Sequence, residues 1–270
     1  MRALCTIIVA VLALLGFDAA AHAKWPMDRV MTIVVPWPAG TGADVVARVI
    51  ADGLSKKWGN QVVVENRVGA SGNIAQNFVA KATAALGDIE VLVTGAGDTN
   101  FGRLHEMSTD DFAQQLQIHL IGANRMARAV LDGMVERRRG DLIFVGSDVA
   151  LRQRPHMGAY GAAKAGLVAM VTNLQMELEG TGVRASVVHP GPTMTSMGWS
   201  LPAEKIGPAL EDWAKWGQAR HSYFLRAADL ARAITFVAET PRGGFIAELE
   251  IQPEAPLADV TDRQKLRVEP

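Results

Sequence analysis

The sequence contains few of the residues that mark several protein classes. Its 270 residues include a single cysteine, Cys5, which excludes a disulfide framework and a thiolate metal cluster. The 27 lysine and arginine residues balance 28 aspartate and glutamate residues, so no general attraction to nucleic acid or to anionic membrane is expected. The six histidines show no metal-ligand spacing, and we predict no metal site.

The longest apolar run lies at the N-terminus. It extends from Ala3 to Gly16, follows Arg2, and precedes the sequence Ala-His-Ala at 21–23. A short positive start, an apolar stretch and an A-x-A site are typical of a secretory signal peptide, and the run is too short for a comfortable membrane span. We therefore predict a signal peptide over residues 1–23, with a buried N-terminal strand or helix as the alternative. Use of the signal would make the protein periplasmic or secreted.

Apolar, β-branched runs alternate with segments of helical periodicity along the rest of the chain. The predicted strands are Met31–Val35, Gln61–Val64, Ile89–Val93, Leu142–Val145, Arg184–Val188 and an edge strand over Phe245–Ile251. The predicted helices are Asp44–Lys57 with Asp44 as its N-cap, Asn73–Ala84, Thr109–Asp132, Ala159–Leu178 and Ala228–Glu239. This alternation predicts an α/β fold with a mostly parallel, doubly wound sheet.

The sharpest pattern in the chain combines Ser147 with Tyr160 and Lys164. Tyr160 and Lys164 are four residues apart on one predicted helix and share a face, while Ser147 follows a strand end, where parallel sheets meet their ligands. A tyrosine hydroxyl has an ordinary pKa of about 10, and a nearby lysine ammonium brings that pKa toward the working range. The pattern predicts proton transfer by Tyr160 to or from a substrate oxygen that Ser147 holds.

On these residues the chain resembles the short-chain dehydrogenase/reductase family from about Gly87 to Pro256. Leu92–Gly97 (LVTGAG) stands where that family has a strand ending in Asn-Asn-Ala-Gly, and Pro190–Thr195 (PGPTMT) matches its Pro-Gly segment. The resemblance implies a Rossmann-like fold and hydride transfer between NAD or NADP and a carbonyl or secondary alcohol. It also implies a small-molecule substrate, a homodimer or homotetramer, and a cytoplasmic location for a working enzyme.

The resemblance assigns roles to individual residues. Tyr160 would be the general acid/base, Lys164 would lower its pKa and bind the cofactor ribose, and Ser147 would orient the substrate. Further cofactor contacts fall on Ala96, Gly97, Pro190, Gly191, Thr193 and Thr195. The family's fourth catalytic residue is an asparagine, and His119 stands in its place within the sequence IHLIG. His119 could hold a water in a proton relay, or it could be a histidine satisfied by backbone carbonyls.

The front of the chain departs from that family. The family opens with Thr-Gly-x-x-x-Gly-x-Gly, of which Gly40-Thr41-Gly42 supplies only the last three positions. Residues 1 to about 82 instead resemble periplasmic solute-binding proteins of tripartite tricarboxylate transporters, on the signal peptide, the loop Ala39–Asp44 (AGTGAD) and Val64–Arg67 (VENR). In those proteins the first loop helps to hold a small carboxylate at a helix N-terminus. The chain therefore resembles a gene fusion with its junction near Ala82–Gly87.

The two segments could form one composite domain. Residues 24–82 would supply a βαβα segment, residues 83–258 the catalytic part and residues 259–270 a polar tail. An intact family member has one more strand–helix unit before the strand at Ile89, so we expect a sheet that lacks one edge unit, in the family order 2-1-4-5-6-7. Backbone amides at Gly40 and Gly42 could receive a pyrophosphate, and Glu65 could meet the adenosine ribose. A plain strand–helix connection with a solvated acidic residue is the alternative.

These patterns leave three functions open. The leading one is an oxidoreductase that uses NAD or NADP. The alternatives are an exported protein that binds a small carboxylate at residues 40–44, and an inactive composite without the usual glycine-rich cofactor motif.

Overall fold

The computed structural model describes residues 31–35, 39–40, 42–66, 88–95, 97–195, 202–219 and 221–255. Its strands are β1 (Met31–Val35), β2 (Val62–Asn66), β3 (Val91–Thr94), β4 (Gly140–Val145), β5 (Val183–Pro190) and β6 (Glu248–Ile251). Its α-helices are α1 (Gly42–Trp58), α2 (Thr109–Leu116), α3 (Gly122–Glu136), α4 (Gly158–Glu177), α5 (Ala203–Lys215) and α6 (Ala227–Ala238). The predicted signal peptide, the helix predicted over 73–84, Ala96 and the polar tail lie outside the described residues.

All of the described strand pairs are parallel. β3, β4, β5 and β6 form one four-stranded sheet in that order, and β1 pairs with β2 in a separate two-stranded sheet. The sequence predicts β1 and β3 as neighbours, but within the described residues no backbone ladder joins them. β3 has only four residues, and its Val93 is 38% exposed, as expected at the edge of a sheet. β6 forms the other edge, and its exposed and half-buried residues alternate as predicted.

The four-stranded sheet is covered on both faces. On one face α3 and α4 pack against β4, with the side chains of Met134, Phe144 and Val171 completely buried. On the other face α6 packs against β4 and β5 through Ile143 and Ile234. Because successive residues of β4 enter opposite layers, both of its faces are apolar, which explains the continuous run Leu-Ile-Phe-Val in the sequence.

Helix α1 attaches the β1–β2 sheet to this core. α1 packs against α6, and the Lys57 ammonium lies 2.5 Å from a Glu239 carboxylate oxygen just beyond α6. The helix begins at Gly42, so the prediction of Asp44 as its N-cap is wrong. Asp44 instead lies in the first turn and reaches back to the backbone N–H of Gly40. The ion pair therefore links the end of α1 to the end of α6, which packs on the four-stranded sheet.

Two helical features differ from the sequence expectations. The single helix predicted from Thr109 is interrupted by a π-helical turn at Gln117–Ile121 between α2 and α3. Helix α5 was not predicted, and it contains Pro208. Apolar periodicity does not reveal a π turn, because the turn adds one residue while the chain continues as a helix on both sides. Helix α5 escapes prediction because a proline is unusual inside a helix. In the described part of the chain, no helix is both long and apolar enough to span a membrane.

A buried carboxylate joins the amino ends of β4 and β5. The two oxygens of Asp141 accept hydrogen bonds from Arg184 at 2.6 Å and from Arg242 at 2.9 Å. Arg184 also donates to the carbonyl oxygens of Thr240 and Gly244. This cluster lies at the end of the sheet opposite the predicted site, so it stabilises the fold and leaves the carboxyl ends of the strands free for chemistry.

Candidate active site

Ser147 lies just beyond the carboxyl end of β4. Its hydroxyl accepts the backbone N–H of Val149 at 3.2 Å and so caps the short 3₁₀ turn Asp148–Ala150. Its carbonyl oxygen lies 3.0 Å from Nδ1 of His189, a residue of β5 that is completely buried. The imidazole therefore donates to this carbonyl, and both neighbouring strands hold the Ser147 backbone in place.

The first two turns of α4 bring Tyr160 and Lys164 to the same place. Both side chains are buried, and the Ser147 hydroxyl is near enough to Tyr160 to lower the pKa of its phenol. The Lys164 ammonium donates to the carbonyl oxygen of Val145 at 2.7 Å and lies 5.7 Å from the centre of the Tyr160 ring. The structure thus brings together the three residues on which the predicted proton transfer depends.

Burial dominates the proton affinity of these groups. It raises the pKa of Tyr160 to about 12, against the smaller lowering effects of the Ser147 hydrogen bond and the Arg154 charge. Burial also lowers the pKa of Lys164 to about 8. The expected lowering of the Tyr160 pKa is therefore wrong for this arrangement, because the phenolate is charged and the surrounding apolar side chains solvate charge poorly.

His119 lies in the π-helical turn and faces Tyr160, with the ring centres 4.9 Å apart in an edge-to-face arrangement. Its Nε2 lies 2.6 Å from the carbonyl oxygen of Asp98 and so donates a hydrogen bond to it, which leaves Nδ1 as a bare acceptor. Burial, with the Lys164 charge, lowers the pKa of His119 to about 3. The imidazole is therefore neutral at physiological pH, and Nδ1 has no partner among the described residues.

Gly97 makes room for this imidazole. A Cβ atom at Gly97 would lie 2.7 Å from Cε1 of His119, closer than carbon atoms approach without a shift. Gly97 therefore packs directly against His119. The glycine is needed for this contact, whether or not it also contacts a cofactor as predicted.

An ion pair next to Ser147 was not anticipated from the sequence. The Asp148 carboxylate is 2% exposed and lies 2.5 Å from the Arg154 guanidinium, whose side chain is 12% exposed. Gln252 adds a hydrogen bond to the same carboxylate at 3.3 Å. Both charges act on Tyr160, since Asp148 raises its pKa and Arg154 lowers it. Only the adjacency of Asp148 to Ser147 could have indicated this pair.

Helix α5 is fastened to the turn that precedes α4. The indole N–H of Trp213 donates to the carbonyl oxygen of Pro155 at 2.7 Å, and the indole packs against Phe101. The neighbouring Asp212 lies 2.8 Å from Nε2 of His156, a residue held at a backbone φ of 65°. A non-glycine residue in this left-handed region is uncommon and needs support from its surroundings. These contacts place Phe101 and Trp213 against the cluster of buried residues that contains Tyr160.

The residues predicted to contact the nicotinamide end of a cofactor follow β5. The Gly191 N–H donates to the Ile251 carbonyl at 2.8 Å, and the Thr193 hydroxyl donates to the Gly191 carbonyl at 2.9 Å. Thr195 ends the described segment beyond them. Together with Lys164, these groups offer hydroxyl and ammonium donors at the carboxyl edge of the sheet, and this chemistry fits the nicotinamide riboside half of a dinucleotide.

The residues predicted to receive the pyrophosphate do not fit it. The Gly40 N–H donates at 2.7 Å to the Asp44 carboxylate, so a negative charge of the chain itself stands at the start of α1. Gly42 is the first residue of that helix. Glu65 lies in β2, and its side chain is outside the described part of the structure. The same carboxylate disfavours the capture of a small carboxylate at this loop. Within the described residues no group of acidic, histidine or cysteine side chains could hold a metal ion.

Comparison with known proteins relates most of the chain to one family. A family model described as short chain dehydrogenase matches residues 43–206. The match begins well before the junction predicted near Ala82–Gly87, so it includes α1 and β2. The N-terminal resemblance to transporter binding proteins stays a prediction.

Two relatives illustrate the similarity in sequence. The chain is 34% identical over 165 residues to the inactive 2-(S)-hydroxypropyl-CoM dehydrogenase 2 of Xanthobacter autotrophicus, covering 60% of this chain and 70% of that protein. It is 34% identical over 130 residues to the 2,3-dihydro-2,3-dihydroxybenzoate dehydrogenase of Bacillus subtilis, covering 48% of this chain and 50% of that protein. The chain therefore spans only half of the second relative's length.

Solved structures share the fold. An alcohol dehydrogenase from Thermococcus sibiricus complexed with 5-hydroxy-NADP aligns with a TM-score of 0.64 and 23% identity, over 85% of this chain and all of that one. A serine dehydrogenase complexed with NADP+ aligns with a TM-score of 0.65 and 24% identity, over 84% and 98%. These similarities confirm the Rossmann-like α/β fold with a mostly parallel sheet. Because the family model covers more than half of the sequence, the chain belongs to the short chain dehydrogenase family.

Proposed function

We propose that the chain is an oxidoreductase that transfers hydride between NAD or NADP and a carbonyl or secondary alcohol, with Tyr160 as the general acid/base. The joint burial of Ser147, Tyr160 and Lys164, with the Lys164 ammonium 5.7 Å from the centre of the Tyr160 ring, carries this proposal. Membership of the family supports it, and two of the structural neighbours are described as complexes with NADP or a derivative of it.

Ser147, Tyr160 and Lys164 have different roles in the proposed proton transfer. In this proposal the hydroxyls of Ser147 and Tyr160 both donate to one substrate carbonyl oxygen. When bound, the cofactor supplies or accepts the hydride. Tyr160 gives its phenolic proton to the substrate oxygen, and the ammonium of Lys164 stabilises the phenolate that remains. Because the pKa of Tyr160 is about 12, the phenol is protonated at neutral pH and the resting site is prepared for carbonyl reduction.

His119 acts without changing its own charge. With a pKa of about 3, its imidazole neither gives nor takes a net proton at neutral pH. The hydrogen bond to the Asp98 carbonyl fixes the tautomer, so Nδ1 presents a lone pair in a buried site near Lys164. We assign His119 the role of a hydrogen-bond acceptor that holds a water or the ammonium in place.

The remaining predicted contacts extend the proposal. Gly191, Thr193 and Thr195 would line the nicotinamide half of the cofactor, next to Lys164. Glu65, Ala96, Gly97 and Pro190 stay proposed cofactor contacts, whereas Gly40 and Gly42 are left out because the Asp44 carboxylate accepts the Gly40 N–H.

The two tyrosines of the chain provide a matched experiment. Tyr160→Phe removes the phenolic proton and should lower kcat for the reduction of a small-ketone panel with NADH or NADPH by about 10²-fold or more. Tyr223→Phe removes the same atom from a ring that packs against His221, and it should keep its activity. Loss of dihydronicotinamide absorbance measures the rate. If the wild type is active and Tyr160→Phe reduces the ketones at the same rate, the role of Tyr160 is refuted.

A further inference from the structure

The start of α1 carries a buried carboxylate where a dinucleotide-binding helix usually offers free amides. One oxygen of Asp44 accepts the Gly40 N–H at 2.7 Å and the Arg48 Nε–H at 3.0 Å. The Asp44 side chain is 2% exposed, while that of Arg48 is 52% exposed. The carboxylate is therefore buried, and it joins Gly40 to the first turn of the helix.

A pyrophosphate bound at the start of α1 would need the backbone N–H groups and the helix dipole at that end. Phosphate groups bind at helix N-termini because the first N–H groups lack partners within the helix and the helix dipole favours negative charge. Here the Asp44 carboxylate accepts the N–H of Gly40, two residues before the helix, and places its own negative charge in the first turn. The helix dipole is thus satisfied from within, and an incoming phosphate meets a like charge.

The backbone of the loop adds to this effect. Gly40 has a φ of 85°, a backbone conformation that residues with a side chain rarely adopt. The direction of its N–H follows from this conformation. A Cβ at Gly40 would meet nothing within 4 Å, so no packing demands the glycine there. The conformation of Gly40 and its hydrogen bond to Asp44 are therefore what shape this turn.

We propose that Asp44 occupies the charge position of the cofactor pyrophosphate and limits the affinity of this chain for NADH and NADPH. This inference rests on the proposed oxidoreductase function and concerns the half of the cofactor remote from Tyr160. Its consequence is that the dinucleotide binds mainly through its nicotinamide riboside half, and that removal of one negative charge at residue 44 strengthens binding.

The test compares two isosteric substitutions on the same helix. Asp44→Asn removes the charge and keeps an oxygen that can accept the Gly40 N–H. Asp52→Asn removes the charge of an exposed carboxylate that pairs with Lys56 four residues on, as Asp44 pairs with Arg48. Each protein is titrated with NADH, with NADPH and with dihydronicotinamide riboside, which carries no phosphate, by dihydronicotinamide fluorescence. Circular dichroism verifies that each variant is folded.

We expect Asp44→Asn to lower the Kd for NADH and NADPH at least tenfold, and to leave the Kd for the riboside unchanged within twofold. Asp52→Asn should change none of the three. An unchanged Kd for NADH in folded Asp44→Asn overturns the inference, and so does an equal gain for the riboside or for Asp52→Asn. If Asp44→Asn does not fold, the wild type decides: a Kd for NADH within about tenfold of that for the riboside supports the inference, and a much lower one overturns it.

The riboside separates this inference from the proposed function. If the riboside binds and no variant gains affinity for NADH, the inference fails while the nicotinamide site stands. If none of the three probes binds to the wild type or to Asp44→Asn, the inference and the proposed function fail together.

Discussion

Replacement of Arg154 should destabilise the protein far more than the loss of one surface charge. The guanidinium is the main partner of the Asp148 carboxylate, which is 2% exposed, and the two groups lie 2.5 Å apart. The same guanidinium stacks over the Trp213 ring at 5.6 Å. Arg154→Met keeps an unbranched side chain but removes the charge; among the described residues it leaves the Asp148 carboxylate with the 3.3 Å hydrogen bond from Gln252 and a weak contact to Ser147 at 3.5 Å.

The cost follows from the burial of that charge. Removal of one member of a buried ion pair typically costs about 3–5 kcal/mol, because the remaining charge stays desolvated without its partner. Loss of the stacking contact with Trp213 adds roughly 0.5–1 kcal/mol. At about 2–4 °C per kcal/mol for a domain of this size, we expect Tm to fall by roughly 10 °C.

A double-mutant cycle measures the pair itself. Urea denaturation of the wild type, Arg154→Met, Asp148→Asn and the double variant gives the four free energies of unfolding. We expect the double variant to be more stable than Arg154→Met, since it no longer contains an unpaired buried charge. If Arg154→Met costs less than about 1 kcal/mol, or if the two single effects simply add, the ion pair does not stabilise this site as argued.

Three further predictions concern stability. His119 has its pKa lowered to about 3 while an unfolded histidine titrates near 6.5, so the unfolded chain binds more protons and stability should fall as pH drops from about 6.5 toward 3. Urea denaturation should show about 2 kcal/mol of this loss between pH 6.5 and 5, and His119→Asn should lack it; an equal acid sensitivity in that variant would refute the assignment. Asp141→Asn removes the negative charge that pairs with Arg184 and Arg242, and it should lower the free energy of unfolding by about 3 kcal/mol without changing the Kd for the cofactor. Urea denaturation and fluorescence titration check these two outcomes. Gly182→Ala should cost more than Gly180→Ala, because both have positive φ but only a Cβ at 182 collides with the backbone of Arg138; equal midpoints of denaturation would contradict this.

The sequence was sufficient for the layers of the fold and insufficient for their junction. Strands such as β4 were predicted because a run that is apolar at every position must be buried on both faces. Helix α5 was missed because Pro208 lies within it, and a proline is unusual inside a helix. The separation of β1–β2 from β3 could not be predicted, since apolar patterning shows that a strand is buried but does not show which strand it pairs with.

The chemistry of the site was predictable where it depends on helical spacing. Tyr160 and Lys164 share a face by their spacing, and Ser147 reaches them because strand ends converge at one edge of the sheet. The pKa of Tyr160 was predicted in the wrong direction, because a sequence names the charged neighbour but does not measure burial, and burial dominates here. The Asp148–Arg154 pair was missed for the same reason.

Catalysis and the limit that Asp44 sets on cofactor affinity should be separable in this chain, because different parts of the fold hold Tyr160 and Asp44. The groups around Tyr160 are held by β4, β5 and α4, which share one buried core. The Gly40–Asp44 contact belongs to the β1–β2 unit, which joins that core through α1 and within the described residues makes no ladder with β3. Substitution of Asp44 should therefore change the Kd for the cofactor while kcat at saturating cofactor stays the same. Substitution of Tyr160 should change kcat while the Kd stays the same, and a variant at either position that moved both quantities together would show that the two parts are coupled.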